Sequence, residues 1–201
     1  MLNDILNIAN RYARGLEHVQ NRKAQWLTKH IELKGHLKKI ADDLNANALY
    51  KQGFFVDTLH AFNEEINGIC IDMPSLTLRS GDMSLLVTFT NEKGDCKEYM
   101  EHGFQITFNP IITGEVLILL LPHYSDLNKT KPELISLAII NEPGQITMDI
   151  IDNMISKGME MAFYSSFTGV AEQNDDEPNP ADPPHHNPIG FKRYETTETG
   201  K

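Results

Sequence analysis

Three polar residues crowd one short loop. In "PHYSDLNKTKPE", His123, Ser125 and Asp126 supply a base, a hydroxyl and an acid, the residue types of a nucleophilic relay. Their spacing argues against one. A catalytic triad is assembled in space, and residues within four positions cannot stack as nucleophile, base and orienter. No G-x-S-x-G turn accompanies them. The stretch therefore reads as a polar turn at a strand end, and its N-K-T at Asn128 is a glycosylation signal only in a secreted chain.

Metal chemistry fares no better. The eight histidines are scattered. His30 and His36 are six apart on a helical pattern, where a spacing of four would share a face, and neither H-E-x-x-H nor paired C-x-x-C occurs. His185 and His186 are adjacent but have no cysteine nearby. The carboxylate pairs Glu64/Glu65 and Glu98/Glu101 read as solvated faces, and no glycine-rich phosphate cradle is present. These residues predict no catalytic group, no cofactor and no metal. The balance leans away from an enzyme, although many active sites leave no linear motif.

The elements carry more information. Alternating steps of three and four from Leu2 give Leu2, Ile5, Ala9, Tyr12, Leu16, Val19, Lys23, Trp26, His30, Leu33, Leu37, Ile40, Leu44 and Asn47. Eleven of these fourteen are apolar, which predicts one helix of about 45 residues, about 70 Å long. No proline interrupts it, while Gly15 and Gly35 each cost about 1 kcal/mol relative to alanine. The neighbouring column adds Leu6, Ala13, Leu27, Ala41 and Ala48, so the stripe is broad near both ends. Lys23 and His30 break it at the waist. Two readings follow: the ends bury in a body while the waist stays exposed, or the helix is a self-associating coiled coil whose polar residues set register.

Residues 54–67 place Leu59, Phe62 and Ile66 at helical spacing and predict a second helix folding back on the first. From Ile69 the period becomes two. Segments such as "SLTLR", "LLVTFT", "CKEYMEHGFQITFN", "VLILLL" and "LISLAII", parted by Gly, Pro, Asn and Asp, predict about five antiparallel strands, with Val116 to Leu121 covered on both sides. Ile151, Met154, Ile155 and Met161 then mark a closing helix across the sheet. The class is α+β, divided into a helical arm (1–51), a body (52–170) and an acidic, proline-rich tail (171–201). In that tail "EQNDDEPNPADPP" has the composition of an extended or disordered spacer. Ile189, Phe191, Lys192, Arg193 and Tyr194 follow it as a short docking segment, 189–194.

Charge divides the same way. Residues 1–51 carry nine Lys or Arg and five acids, a net of +4, against −14 for the remainder. The basic waist therefore meets something acidic: the chain's own acidic half, or nucleic acid along residues 22–39 through salt-sensitive phosphate contacts. The longest aliphatic run is far too short to span a membrane. With no leader pattern and two cysteines, Cys70 and Cys96, in predicted strands, the expected setting is a reducing cytoplasm. The leading functional expectation is an assembly module that forms homo-oligomers or docks a protein partner. Its contacts would be Lys23, Trp26, His30, Lys38 and Lys39 on the helix and residues 189–194 of the tail. The rivals are a small-molecule binder or motif-less enzyme with a pocket between sheet and last helix, and a nucleic-acid binder.

Overall fold

The computed structural model describes residues 2–66, 69–90, 93–127 and 132–166. One helix, α1 (Leu2–Asn47), runs through the entire predicted heptad without a break. Asn45 then fixes where the chain turns: its side-chain oxygen accepts from the Phe54 backbone N–H at 2.7 Å and its amide donates to the Phe54 carbonyl at 2.9 Å. That pair of bonds replaces a strand neighbour at the start of the sheet.

Among the described residues eight strands follow: β1 (Phe54–Ile66), β2 (Ile69–Ser80), β3 (Met83–Thr90), β4 (Cys96–His102), β5 (Gln105–Pro110), β6 (Val116–Leu121), β7 (Tyr124–Ser125) and β8 (Ile135–Ile140). A 3₁₀ turn (Pro143–Gln145) leads into α2 (Met148–Ser165), whose start is capped by the Thr147 side chain. Five strands form the main antiparallel sheet in the order β1-β2-β5-β6-β8. The others form a small sheet, β3-β4-β7. Because β2 and β5 are neighbours, the β3–β4 hairpin is an excursion that leaves the main sheet at Gly81 and returns at Gly103. Both glycines are required by close approach: a Cβ at Gly103 would lie 2.2 Å from the Ser80 carbonyl oxygen.

Residues 54–66 are strand, not the predicted second helix. Phe54 is buried and Val56 packs on the core, while Phe55 between them is 44% exposed. That alternation of aromatic and β-branched residues fits a strand, and the partner β2 pairs with it from Phe54↔Ser80 to Ile66↔Ile69. The helical spacing of Leu59, Phe62 and Ile66 is spurious because it straddles a register shift between His60 and Phe62, where one extra residue breaks the two-residue period.

Both helices cover one face of the main sheet. Trp26, Leu33, Leu37 and Ala41 from α1 and Ile151, Ile155 and Ala162 from α2 share a core with Leu76, Leu78, Ile106, Phe108, Val116, Ile118 and Leu120. Gly158 lets α2 approach until a Cβ there would meet Ile106 Cδ1 at 2.7 Å. In β6 the residues alternate buried and half-buried, so this strand is fully covered on one side only. His36 links α1 to Asp152 of α2 at 2.6 Å.

The waist of α1 buries together with its C-terminal end, where Ala41 joins the core, and only the N-terminal end is exposed, against the expectation of two buried ends and an exposed middle. Every residue from Leu2 to His18 is exposed, and burial begins at Val19 to Lys23, where the β5–β6 turn presses Gly114 against the helix. Trp26 is fully buried and its indole N–H donates to the Pro74 carbonyl at 2.8 Å. Lys23 lays its stem into the same seam and sets Nζ 2.7 Å from Glu64 Oε2 and 5.8 Å from the centre of the Phe62 ring. This is a contact of distance and charge, as its angle is not that of a hydrogen bond. A lysine that looks like a break in an apolar stripe is therefore compatible with burial when the facing strand supplies the carboxylate.

Candidate functional site

Two uncovered apolar places stand out: the free arm of α1 and a cleft at the far end of the main sheet. With Leu2 as position a of a seven-residue repeat, the arm's a, d, e and g columns are Leu2, Ile5, Leu6, Ile8, Ala9, Tyr12, Ala13, Gly15, Leu16 and Val19. Every charge between residues 2 and 18 (Asp4, Arg11, Arg14, Glu17) falls on the opposite b, c and f columns. The apolar face is thus four columns wide, and most of it meets water: Tyr12 is 78% and Leu16 60% exposed. Gly15 hollows this face. Ile8, Arg11, Tyr12, Gly15, Leu16 and Val19 line one depression. Within it residues 8, 11, 12 and 15, and likewise 12, 15, 16 and 19, are spaced i, i+3, i+4, i+7, the frame that receives a knob from a neighbouring helix.

Lys23 and Trp26 belong to the body's core, and His30 is half-buried with its Nδ1 3.3 Å from the Trp26 carbonyl. Lys38 and Lys39 are exposed. The structure thus separates the five helix residues expected to act together. It also shows where much of the basic waist finds acid. Arg22 meets Glu142 at 3.0 Å and Glu115 at 3.7 Å, Lys23 meets Glu64, and Lys29 meets Glu32 at 2.7 Å. The chain's own carboxylates thus pair with Arg22, Lys23 and Lys29, while Lys34, Lys38 and Lys39 stay exposed. Ile189, Phe191, Lys192, Arg193 and Tyr194 lie outside the described residues, as do His185 and His186.

The cleft, about 390 Å³, opens where the α1–β1 connection, the small sheet and the last turn of α2 meet. Tyr50, Phe54, Phe104 and Phe163 supply aromatic walls, with Leu49, Met83 and Met159 around them. Glu101 is buried in the middle strand of the small sheet, between Met83 and Ser125. His123 stands against the edge of the Phe104 ring, and its Nδ1–H donates to the His102 carbonyl at 3.2 Å. This leaves Nε2 as the acceptor of a neutral ring. Burial holds the His123 pKa below its ordinary value of 6.5, against the opposing pull of Glu101. Burial likewise raises the Tyr50 phenol, with Glu101 and Asp82 adding to the effect, and its hydroxyl donates to the Gly81 carbonyl at 3.1 Å.

No relay joins His123, Ser125 and Asp126. Asp126 accepts from His102 Nε2 at 3.0 Å and from the Met100 N–H at 3.2 Å, and these bonds hold its carboxyl below the usual range. Its bonds tie β4 to β7, which suits a structural role. Among the described residues no group of three or more His, Cys, Asp or Glu is placed to hold a metal ion, and no helix is long and apolar enough to cross a membrane. The cleft's polar groups come from distant parts of the chain, Tyr50, Glu101 and His123, so no spacing rule could have found them. His123, Glu101 and Met159 each lay in a segment the sequence marked, but as a polar turn, a solvated carboxylate pair and the methionine-bearing last helix, with nothing to say that the fold brings them together. Compared with protein-family models, curated proteins and solved structures, the chain matches none of them.

Proposed function

We propose that this protein is an assembly module whose copies associate through residues 2–19 of α1. One observation carries the reading: a charge-free face four columns wide, hollowed at Gly15, left uncovered on a helix whose other half is firmly packed. A two-stranded coiled coil needs only the a and d columns, whereas a face that also includes e and g is covered by two flanking helices. The assembly is therefore one of three or more arms. Second copies suit the site because Asp4 and Glu17 balance Arg11 and Arg14, so the arm is neutral although the chain carries −10. Arms can meet without the repulsion that opposes contact between the acidic bodies.

The test is a mass measurement in solution across a concentration series. Wild-type protein is expected at the mass of three or more chains. The full-length variant with Ile8→Glu and Leu16→Glu is expected at 22.7 kDa with unchanged helical circular dichroism at 222 nm. A wild-type chain that stays monomeric at the highest concentration would sink the proposal.

A further inference from the structure

The cleft has a rim that invites a cover. Leu49 is 96% and Phe163 41% exposed at its edge, next to aromatic walls and the buried Glu101. Lys51, an exposed residue, also lines the site. An occupant that suits this place has aromatic or branched apolar groups and a positive charge: rings to stack on Tyr50, Phe54, Phe104 and Phe163, and a cation drawn by the carboxylate.

The same chain carries such a segment, and the route to it begins at the site. Ser166, one residue past α2, is part of the cleft wall. Residues 167–188 then lead to Ile189, Gly190, Phe191, Lys192, Arg193 and Tyr194. Those 22 residues can reach at most roughly 75 Å, ample to return to a point beside their own start. Such a tether sets a local concentration on the order of millimolar. Between Glu172 and Pro184 there are five acids, four prolines and no large apolar residue. That stretch has the same sign as Glu101 and nothing to bury, so it does not compete for the site.

We propose that residues Ile189–Tyr194 fill the cleft of their own chain, with Phe191 and Tyr194 among its aromatic walls and Lys192 and Arg193 facing the field of Glu101. The inference stands on the cleft and the chain's path, independently of assembly through the arm.

Methyl resonances of the methionines read it out. Met83 and Met159 line the cleft, whereas Met73 is buried elsewhere in the core at 1% exposure. In the full chain, Phe191→Ala with Tyr194→Ala is expected to shift Met83 and Met159 and leave Met73 in place. A peptide of residues 185–198 added to that variant should restore the wild-type positions. The same peptide with Lys192→Glu and Arg193→Glu should bind about tenfold more weakly, the worth of one charge-assisted contact. These substitutions all lie outside the described fold, so misfolding does not confound them. Identical Met83 and Met159 resonances in wild type and double variant would overturn the proposal and leave the cleft to a foreign ligand. Positions that change on dilution would overturn it in favour of a segment from a second copy.

Discussion

Lys23 shows how a residue type can mislead. In an apolar column it reads as an exposed interruption or as a polar register-setter, yet it is buried because β1 brings Glu64 to it. The sequence holds no sign of that partner, which lies forty-one positions away across a turn. A paired buried cation does not have to be a source of stability, but a half-broken pair is costly. Lys23→Ala should therefore destabilise the fold by about 2–3 kcal/mol, since it strands Glu64 and removes the packed stem. Lys23→Met keeps the stem, so its loss should be smaller. Urea denaturation of the two variants checks this, and equal losses would show that the stem matters less than the charge. Trp26 was legible as apolar; its bond to the Pro74 carbonyl was not, since sequence spacing reports which side faces inward but not what waits there.

At the scale of elements, legibility followed period. The heptad predicted α1 nearly to the residue, and β2, β3, β5, β6, β8 and α2 all appear where alternation or helical spacing placed them. Where the period was locally corrupted, the reading failed: the register shift at Ala61 made a strand look helical. "CKEYMEHGFQITFN" read as one strand but is two, because Gly103 diverts the chain between sheets. Two glycines of α1 allow a test that separates helix formation from association. A Cβ at either Gly15 or Gly35 meets nothing within 4 Å. Gly35→Ala should raise stability by about 0.5–1 kcal/mol through helix propensity alone and leave the mass in solution unchanged. Gly15→Leu should also favour the helix, yet it fills the hollow between Ile8, Tyr12 and Val19 and should weaken assembly. Thermal melts and mass measurements on both variants distinguish the two effects. Stronger assembly in Gly15→Leu would show that no knob enters that hollow.

For the whole molecule, the separation of a basic helix from an acidic remainder was visible in composition, and the structure shows part of its resolution in cis at Glu64, Glu115 and Glu142. The lining of the cleft was not visible beyond a pocket between sheet and last helix, because it gathers side chains from five separate stretches. Its chemistry does set the acid response. His123 has its pKa lowered by burial, so below its ordinary value of 6.5 the unfolded chain takes up a proton that the folded chain resists. Stability is thus lost as pH falls from 6.5 toward the depressed folded value. Asp126, lowered by its bonds to His102 and Met100, adds a second loss once pH falls below its ordinary 3.8 and through its folded value. Denaturation midpoints measured between pH 7.5 and 5 should decline for wild type and stay nearly level for His123→Gln. Parallel slopes would remove His123 from the account.

The unbroken passage of α1 from body to arm has a mechanical meaning. No proline, bulge or loop separates the clamped half, held by Trp26, Leu33 and Leu37, from the free half. The helix is therefore a lever without a hinge: roughly 25 Å of rigid shaft leave the body in a direction fixed by the sheet. Copies joined at their shafts would hold their bodies apart like spokes, with each cleft turned by the same angle from the hub. A swivel inserted at residue 20 could leave binding between shafts intact and still abolish that common orientation.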